Sequence, residues 1–129
     1  MHKHLQILSL LLCFSAAAAT AAPGDLLAGY SALAGRSADA AQGQRLFTSS
    51  QGGEWSCASC HQALPTVAGR HASTGKRIDA LAPAFNPQRF SDPAKVEKWF
   101  RRNCKDVLSR ECTAAEKADL LAWLISLKP

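Results

Sequence analysis

Methionine is all but missing from this chain of 129 residues: the one present is Met1, so no thioether stands anywhere in the body of the sequence. That removes a soft sulfur ligand of the methionine kind from any metal site built downstream. Long hydrophobic runs are equally scarce. The stretch from Leu5 to Ala19 falls short of the ~20 apolar residues that a membrane-spanning helix needs. Strand-period alternation, internal repeats and low-complexity tracts are also absent. A net charge of +5 without a polybasic block is too weak to argue for nucleic acid, and suits an acidic protein or the anionic groups of a cofactor. With 47% hydrophobic and 19% charged residues, the chain is neither disordered nor more than one small domain.

What is there begins with an address. His2, Lys3 and His4 precede the apolar run, and Ala19-Thr20-Ala21 closes it with the small-x-small pattern of a cleavage site. Residues 1–21 read as a secretory signal peptide and residues 22–129 as the exported domain, with no membrane span once the signal is cut. Cleavage would remove Cys13, and the domain would keep Cys57, Cys60, Cys104, Cys112, His61 and His71.

Periodicity predicts an all-α domain of about four helices joined by long loops. Leu26, Leu27, Tyr30, Leu33 and Ala34 recur at helical spacing until Gly35 stops them. Ser37 can cap a second helix that carries Asp39 in its first turn and Gly43, Leu46 and Phe47 on one face. A glycine inside a helix weakens it by ~1 kcal/mol, so Gly43 points to a close helix contact. Ser91-Asp92-Pro93 opens a third helix with an apolar stripe at Val96, Trp99, Phe100 and Val107. Thr113-Ala-Ala-Glu116 is a capping box ahead of Leu120, Trp123, Leu124 and Leu127. Between Gln62 and Asp92 no period persists. So long an irregular stretch calls for an organising agent, and a bound cofactor would serve.

Cys57-Ala-Ser-Cys60-His61 names that cofactor. C-x-x-C-H attaches c-type haem: two thiols one helical turn apart each add to a vinyl group, and the following imidazole comes under the iron. A redox disulfide would need a thioredoxin-like strand and helix around the C-x-x-C pair, and zinc would need further ligands at matching spacing. The motif occurs once, so one covalent haem c is expected, held by Cys57 and Cys60 and ligated by His61. The Pro83 carbonyl is a candidate acceptor for the second ring nitrogen of His61.

The other axial position has no methionine to fill it. His71, a lysine, an unusual oxygen or nitrogen donor, or an open site remain. Residue 103 falls on the stripe of the third helix and is asparagine, an amide that is costly to bury unpaired. It is either an ordinary core asparagine bonded to backbone or a group aimed at the iron or an iron-bound molecule. His71 sits in a basic loop with Arg70, Lys76 and Arg77; these, with Arg89, Arg101 and Arg102, are candidates for haem propionates, a docking rim or plain solvation. Cys104 and Cys112, left over in an oxidising compartment, should pair and tie the third helix to the fourth beside Asn103.

Lys95-Val-Glu-Lys-Trp-Phe-Arg-Arg-Asn-Cys104, Ser109-Arg-Glu-Cys-Thr113 and Glu116-Lys-Ala-Asp-Leu-Leu-Ala-Trp-Leu124 closely resemble the oxygen-binding cytochromes c of the Sphaeroides haem protein type. The likeness runs back through Asn86-Pro-Gln-Arg-Phe-Ser-Asp92, Leu81-Ala-Pro83 and Thr74-Gly-Lys76 to the haem motif and Ala28-Gly-Tyr30. The resemblance implies a small class I-like cytochrome c fold around one haem. It implies an asparagine sixth ligand, here Asn103, beside a disulfide, here Cys104 to Cys112. That asparagine lets go on reduction and frees the ferrous iron for a small diatomic gas. A dihaem cytochrome c and a membrane cytochrome b are the redox partners it implies. The family pattern carries a proline where Ala80 stands and a glycine where Ser109 stands. A periplasmic electron carrier that binds oxygen or another gas is the function expected. A haem enzyme reducing or detoxifying oxygen, nitric oxide or peroxide, or a gas sensor, is the alternative.

Overall fold

The computed structural model describes residues 20–129 together with Ala17, so nearly all of the expected signal segment lies outside the described residues. Helix α1 spans Pro23–Ala34, α2 Ala40–Thr48, α3 Ala58–His61, α4 Pro93–Leu108 and α5 Ala114–Ser126. Strands β1, Gly69–Arg70, and β2, Arg77–Ile78, pair antiparallel with Gly69 opposite Ile78. The four long helices stand where hydrophobic period and caps put them, and α3 adds one turn over the C-x-x-C-H motif. The two-residue ladder was not expected, because so short a pairing leaves no alternation to read. No helix among the described residues is long and apolar enough to cross a membrane.

Local chemistry sets the ends. Gly35 takes the left-handed conformation that stops α1. At the start of α2, Asp39 and not Ser37 is the cap: its carboxylate accepts from the amides of Ala41 and Gln42, at 2.9 and 3.1 Å. A charged acceptor at the cap serves two orphan amides better than a hydroxyl two residues too early. Asp92 caps α4, and Thr113 with Glu116 forms the capping box of α5. Ser109 ends α4 in the left-handed region, where the resembled family carries glycine.

Helix α5 is the axis of the core. Leu120, Trp123 and Leu124 pack with Phe47 of α2, and Phe47 lies 4.9 Å from Trp123 between ring centroids. Ala118 and Leu121, on the other side, pack with Tyr30 of α1. A buried leucine contributes about 2 kcal/mol, so the α5 leucines dominate the stability of so small a domain. Gly43 explains itself here. A Cβ on it would stand 1.9 Å from the carbonyl oxygen of Asp119, so α2 crosses α5 with backbone on backbone. Asp119 is the polar complement of that crossing: its buried carboxylate accepts from the Asp39 amide at 2.7 Å and from Arg36 at 3.0 and 2.7 Å.

Helix α4 is attached differently. Tyr30 Oη donates to Glu97 at 2.5 Å, Lys117 Nζ bonds both oxygens of Glu97, and Phe100 meets Tyr30 edge-on at 5.8 Å. Cys104 and Cys112 are joined in a disulfide, with Cα atoms 5.6 Å apart. The segment 62–92 is organised by the chain itself. The carbonyl of buried Pro65 accepts from Leu81 and Ala82, both at 3.0 Å, while Asn86 and Arg89 hold the carbonyl of Ala80. Cofactor or not, this loop has its own hydrogen-bonded frame, which the sequence period did not reveal.

Candidate haem site

The turn 57–61 presents its groups on a short helix wedged against the core. Cys57 and Ala58 pack beside the Phe47, Leu120, Trp123 and Leu124 cluster, and the His61 ring lies 6.2 Å from Phe47. Neither Cys57 nor Cys60 is in a disulfide, and both are half-buried. Burial pushes the Cys57 thiol up to about 11, so it is a protonated thiol at neutral pH. Burial, and then the nearby charge of Arg89, lower His61 to about 4. Its ring is therefore neutral and carries a free lone pair, the form a metal requires. Among the described residues the His61 ring makes no hydrogen bond, so the bond to the Pro83 carbonyl expected from the sequence is not formed.

Five large hydrophobic side chains are exposed among the described residues. Leu33 is on α1, while Leu64, Val67 and Phe85 lie in the segments after the motif and Trp99 lies on α4. Two half-buried thiols and a neutral imidazole on one short helix, in a domain that leaves Leu64, Val67 and Phe85 exposed in the segments after it, suit a flat, apolar, vinyl-bearing macrocycle with an iron centre. The donor set thus fits haem c. It does not fit the rivals: no three His, Cys, Asp or Glu side chains converge as a metal cluster among the described residues, and the sheet beside α3 is a two-residue antiparallel ladder, not the strand and helix of a thioredoxin-like site.

Asn103 falls outside the core. The stripe expected on α4 divides, with Val96 and Cys104 buried, Phe100 and Val107 half-buried, and Trp99 and Asn103 exposed together. The reason is geometric, since residues 99 and 103 lie one turn apart on the flank of the face that 96, 100 and 104 bury. The reading as an ordinary buried asparagine bonded to backbone is therefore overturned. Trp99 is 42% exposed and has the Arg102 guanidinium 5.7 Å from its ring centre.

His71 is engaged elsewhere. Its Nδ1 accepts from the amides of Ser73 and Thr74, both at 3.3 Å, and lies 3.2 Å from Ser73 Oγ. Two amide donors on Nδ1 fit the tautomer with the ring proton on Nε2. Arg89 stands apart from the other basic residues. It is half-buried, with Nε on the Ala80 carbonyl at 3.0 Å and a terminal nitrogen on that of Asp79 at 2.8 Å. None of the roles the sequence offers it, a haem propionate, a docking rim or plain solvation, includes this clamp on two carbonyls.

Comparison with known proteins agrees with this geometry. Residues 33–124 match a family described as a domain of unknown function, DUF1924. The cytochrome c-type protein SHP of Cereibacter sphaeroides is 52% identical over 92% of this chain and 94% of its own length. The chain belongs to the SHP-type c cytochromes, and to the DUF1924 family. Like other c-type cytochromes, it carries covalent haem c. The structure of oxidized SHP, described as an oxygen-binding cytochrome c, superposes with a TM-score of 0.77 over 82% of this chain and 97% of that one. Oxidized cytochrome c'' of Methylophilus methylotrophus superposes at 0.74 with 32% identity, covering 83% of this chain and 95% of the other. A solution structure of that cytochrome c'', also at 0.74, is described as giving insights into haem-ligand detachment. The all-α cytochrome c fold expected for an SHP-type protein is thus the fold observed.

Proposed function

We propose that this is a periplasmic monohaem cytochrome c that carries one electron and binds oxygen or another diatomic gas when reduced. Cys57 and Cys60 would attach the haem, and His61 and, in the ferric state, Asn103 would hold its iron. The haem would supply a one-electron iron couple and, once reduced, iron able to bind a gas. The rest falls to the chain. His61 offers a neutral imidazole held against Phe47. Asn103 offers an amide oxygen, a hard neutral donor that holds ferric iron better than ferrous. The Cys104–Cys112 bridge anchors the residue next to it in the chain, so Asn103 can let go without its helix departing.

The observation that carries this reading is the pairing of exposed Asn103 with exposed Trp99 on α4, in a chain half identical to an oxygen-binding cytochrome c. The SHP likeness supports the gas, and the cytochrome c'' likeness supports a detachable ligand. The tautomer of His71 supports Asn103 over bis-histidine ligation. The test is spectroscopic. Asn103→Ala should open the ferric site to water or azide and leave carbon monoxide binding to the ferrous protein nearly unchanged. If Asn103→Ala is silent and His71→Ala abolishes the low-spin ferric spectrum, the ligand assignment is wrong.

A further inference from the structure

The hairpin formed by β1, β2 and the turn 71–76 sits directly on the haem motif. Gly69 lies so flat on it that a Cβ would stand 1.9 Å from the Cys60 carbonyl oxygen. Three residues on, the Ala72 amide donates to Cys60 Sγ at 3.2 Å. The hairpin is firm: His71 and Lys76 pair through their backbones at 2.8 Å, and Arg70 reaches the Gly75 carbonyl at 3.2 Å. Its charges are nearly all of one sign. Arg70, Lys76 and Arg77 are exposed, and the one carboxylate beside them, Asp79, is paired with Arg77 at 3.3 Å.

We propose that this basic hairpin is the docking surface for an acidic one-electron carrier protein, and that the Cys60 sulfur beneath it is where the electron enters. The inference rests on the proposed function, since it takes Cys60 to be bonded to haem. In the step the partner loses one electron and this chain gains one, with no bond made or broken. Helix α4 carries a second basic set, Lys95, Lys98, Arg101, Arg102 and Lys105, but none of these hydrogen-bonds to the motif among the described residues. Contact with the sulfur, more than positive charge, marks the hairpin. Charge complementarity then brings an acidic partner to it, because opposite fields steer encounter and raise the association rate.

Reduction of the haem-loaded ferric protein by flavodoxin hydroquinone, an acidic flavoprotein, provides the test by stopped flow. The second-order rate should fall with rising ionic strength. Arg70→Glu with Lys76→Glu should lower it roughly tenfold or more at low salt, with the difference fading at high salt. Arg70→Gln with Lys76→Gln should give a smaller loss in the same direction, and covers the case in which charge reversal disturbs the hairpin. Lys95→Glu with Lys98→Glu should change the rate much less. Unchanged ferric spectra and midpoint potentials would show that only docking was altered. Hairpin variants as fast as wild type, or a larger loss from the α4 pair, would overturn the docking surface. A wild-type protein reduced by dithionite but not by flavodoxin would overturn the carrier reading and the surface with it. Haem lost on denaturation would instead count against attachment at Cys60.

Discussion

Helices α1 and α2 lie directly against α5, and the α2 crossing is so close that glycine is required at position 43; α4 is held at the ends of long side chains and by one disulfide. The first region buries leucine and aromatic surface and resists any change of shape. The second keeps a face open, with Trp99 and Asn103 uncovered. The proposed function, in which α4 offers a ligand and then withdraws it, requires a helix that is not interlocked residue by residue with a core. Anchoring it at Glu97, Phe100 and Cys104 fixes its position and leaves the flank at 99 and 103 unconstrained.

Variants can break or sharpen that contrast. Gly43→Ala should be the most damaging, at about 3 kcal/mol or loss of folding, because the Cβ meets backbone and not a movable side chain. Chemical denaturation checks it, and whatever protein folds should keep its ferric spectrum. Replacing Cys104 and Cys112 together with serine should cost roughly 2.5 kcal/mol by the loop-entropy argument. On the α4 side the effect should reach the ligand as well, with azide binding the ferric protein more readily. A normal spectrum in the reduced or double-serine protein would mean that the bridge does not position Asn103.

Asp119→Asn should cost about 2 kcal/mol at neutral pH, the worth of a charged hydrogen-bond acceptor. Its effect also has a sign in pH. Burial opposes ionisation of Asp119, but the Arg36 hydrogen bonds, the Asp39 amide and the Arg36 charge outweigh it and hold the carboxyl below its ordinary value. The stability it contributes is therefore complete above the unfolded carboxyl pKa and is lost as pH falls through the lower folded value. Acid unfolding curves should be steeper for the wild type than for Asp119→Asn over that range. Ser109→Gly should stabilise by ~1 kcal/mol, since a serine in the left-handed region carries a steric cost that glycine avoids. A Tm rise without a change in ligand binding would place that strain outside the site. His71→Ala should have the smallest effect: a nearly unchanged ferric spectrum and only a loosened turn.

Much of the fold was legible because the determinants are local. Asp92 and the Thr113–Glu116 box cap α4 and α5 as their spacing requires, and Leu120, Trp123 and Leu124 are buried as their period requires. The haem motif is legible for the same reason, since one helical turn holds every reacting group. Asp119 was not legible: an acidic residue within an apolar helix has no periodic signature, and its partners Arg36 and Asp39 lie some eighty residues away. The hairpin on Cys60 escaped notice because two-residue strands carry no pattern. Arg89 escaped because nothing local separates an arginine that clamps carbonyls from one that faces water.

The sequence by itself determined the all-helical class, the c-type haem motif and the two cysteines left to pair, because each depends on residue type at short range. Its resemblance to the SHP family supplied the expectation for Asn103. Only the tertiary structure decided which residues of α4 face outward, which amides meet the His71 ring, and which basic segment touches the Cys60 sulfur. Those outcomes depend on how distant segments pack and on which hydrogen-bond donors they bring to a given atom, and no spacing along the chain encodes either.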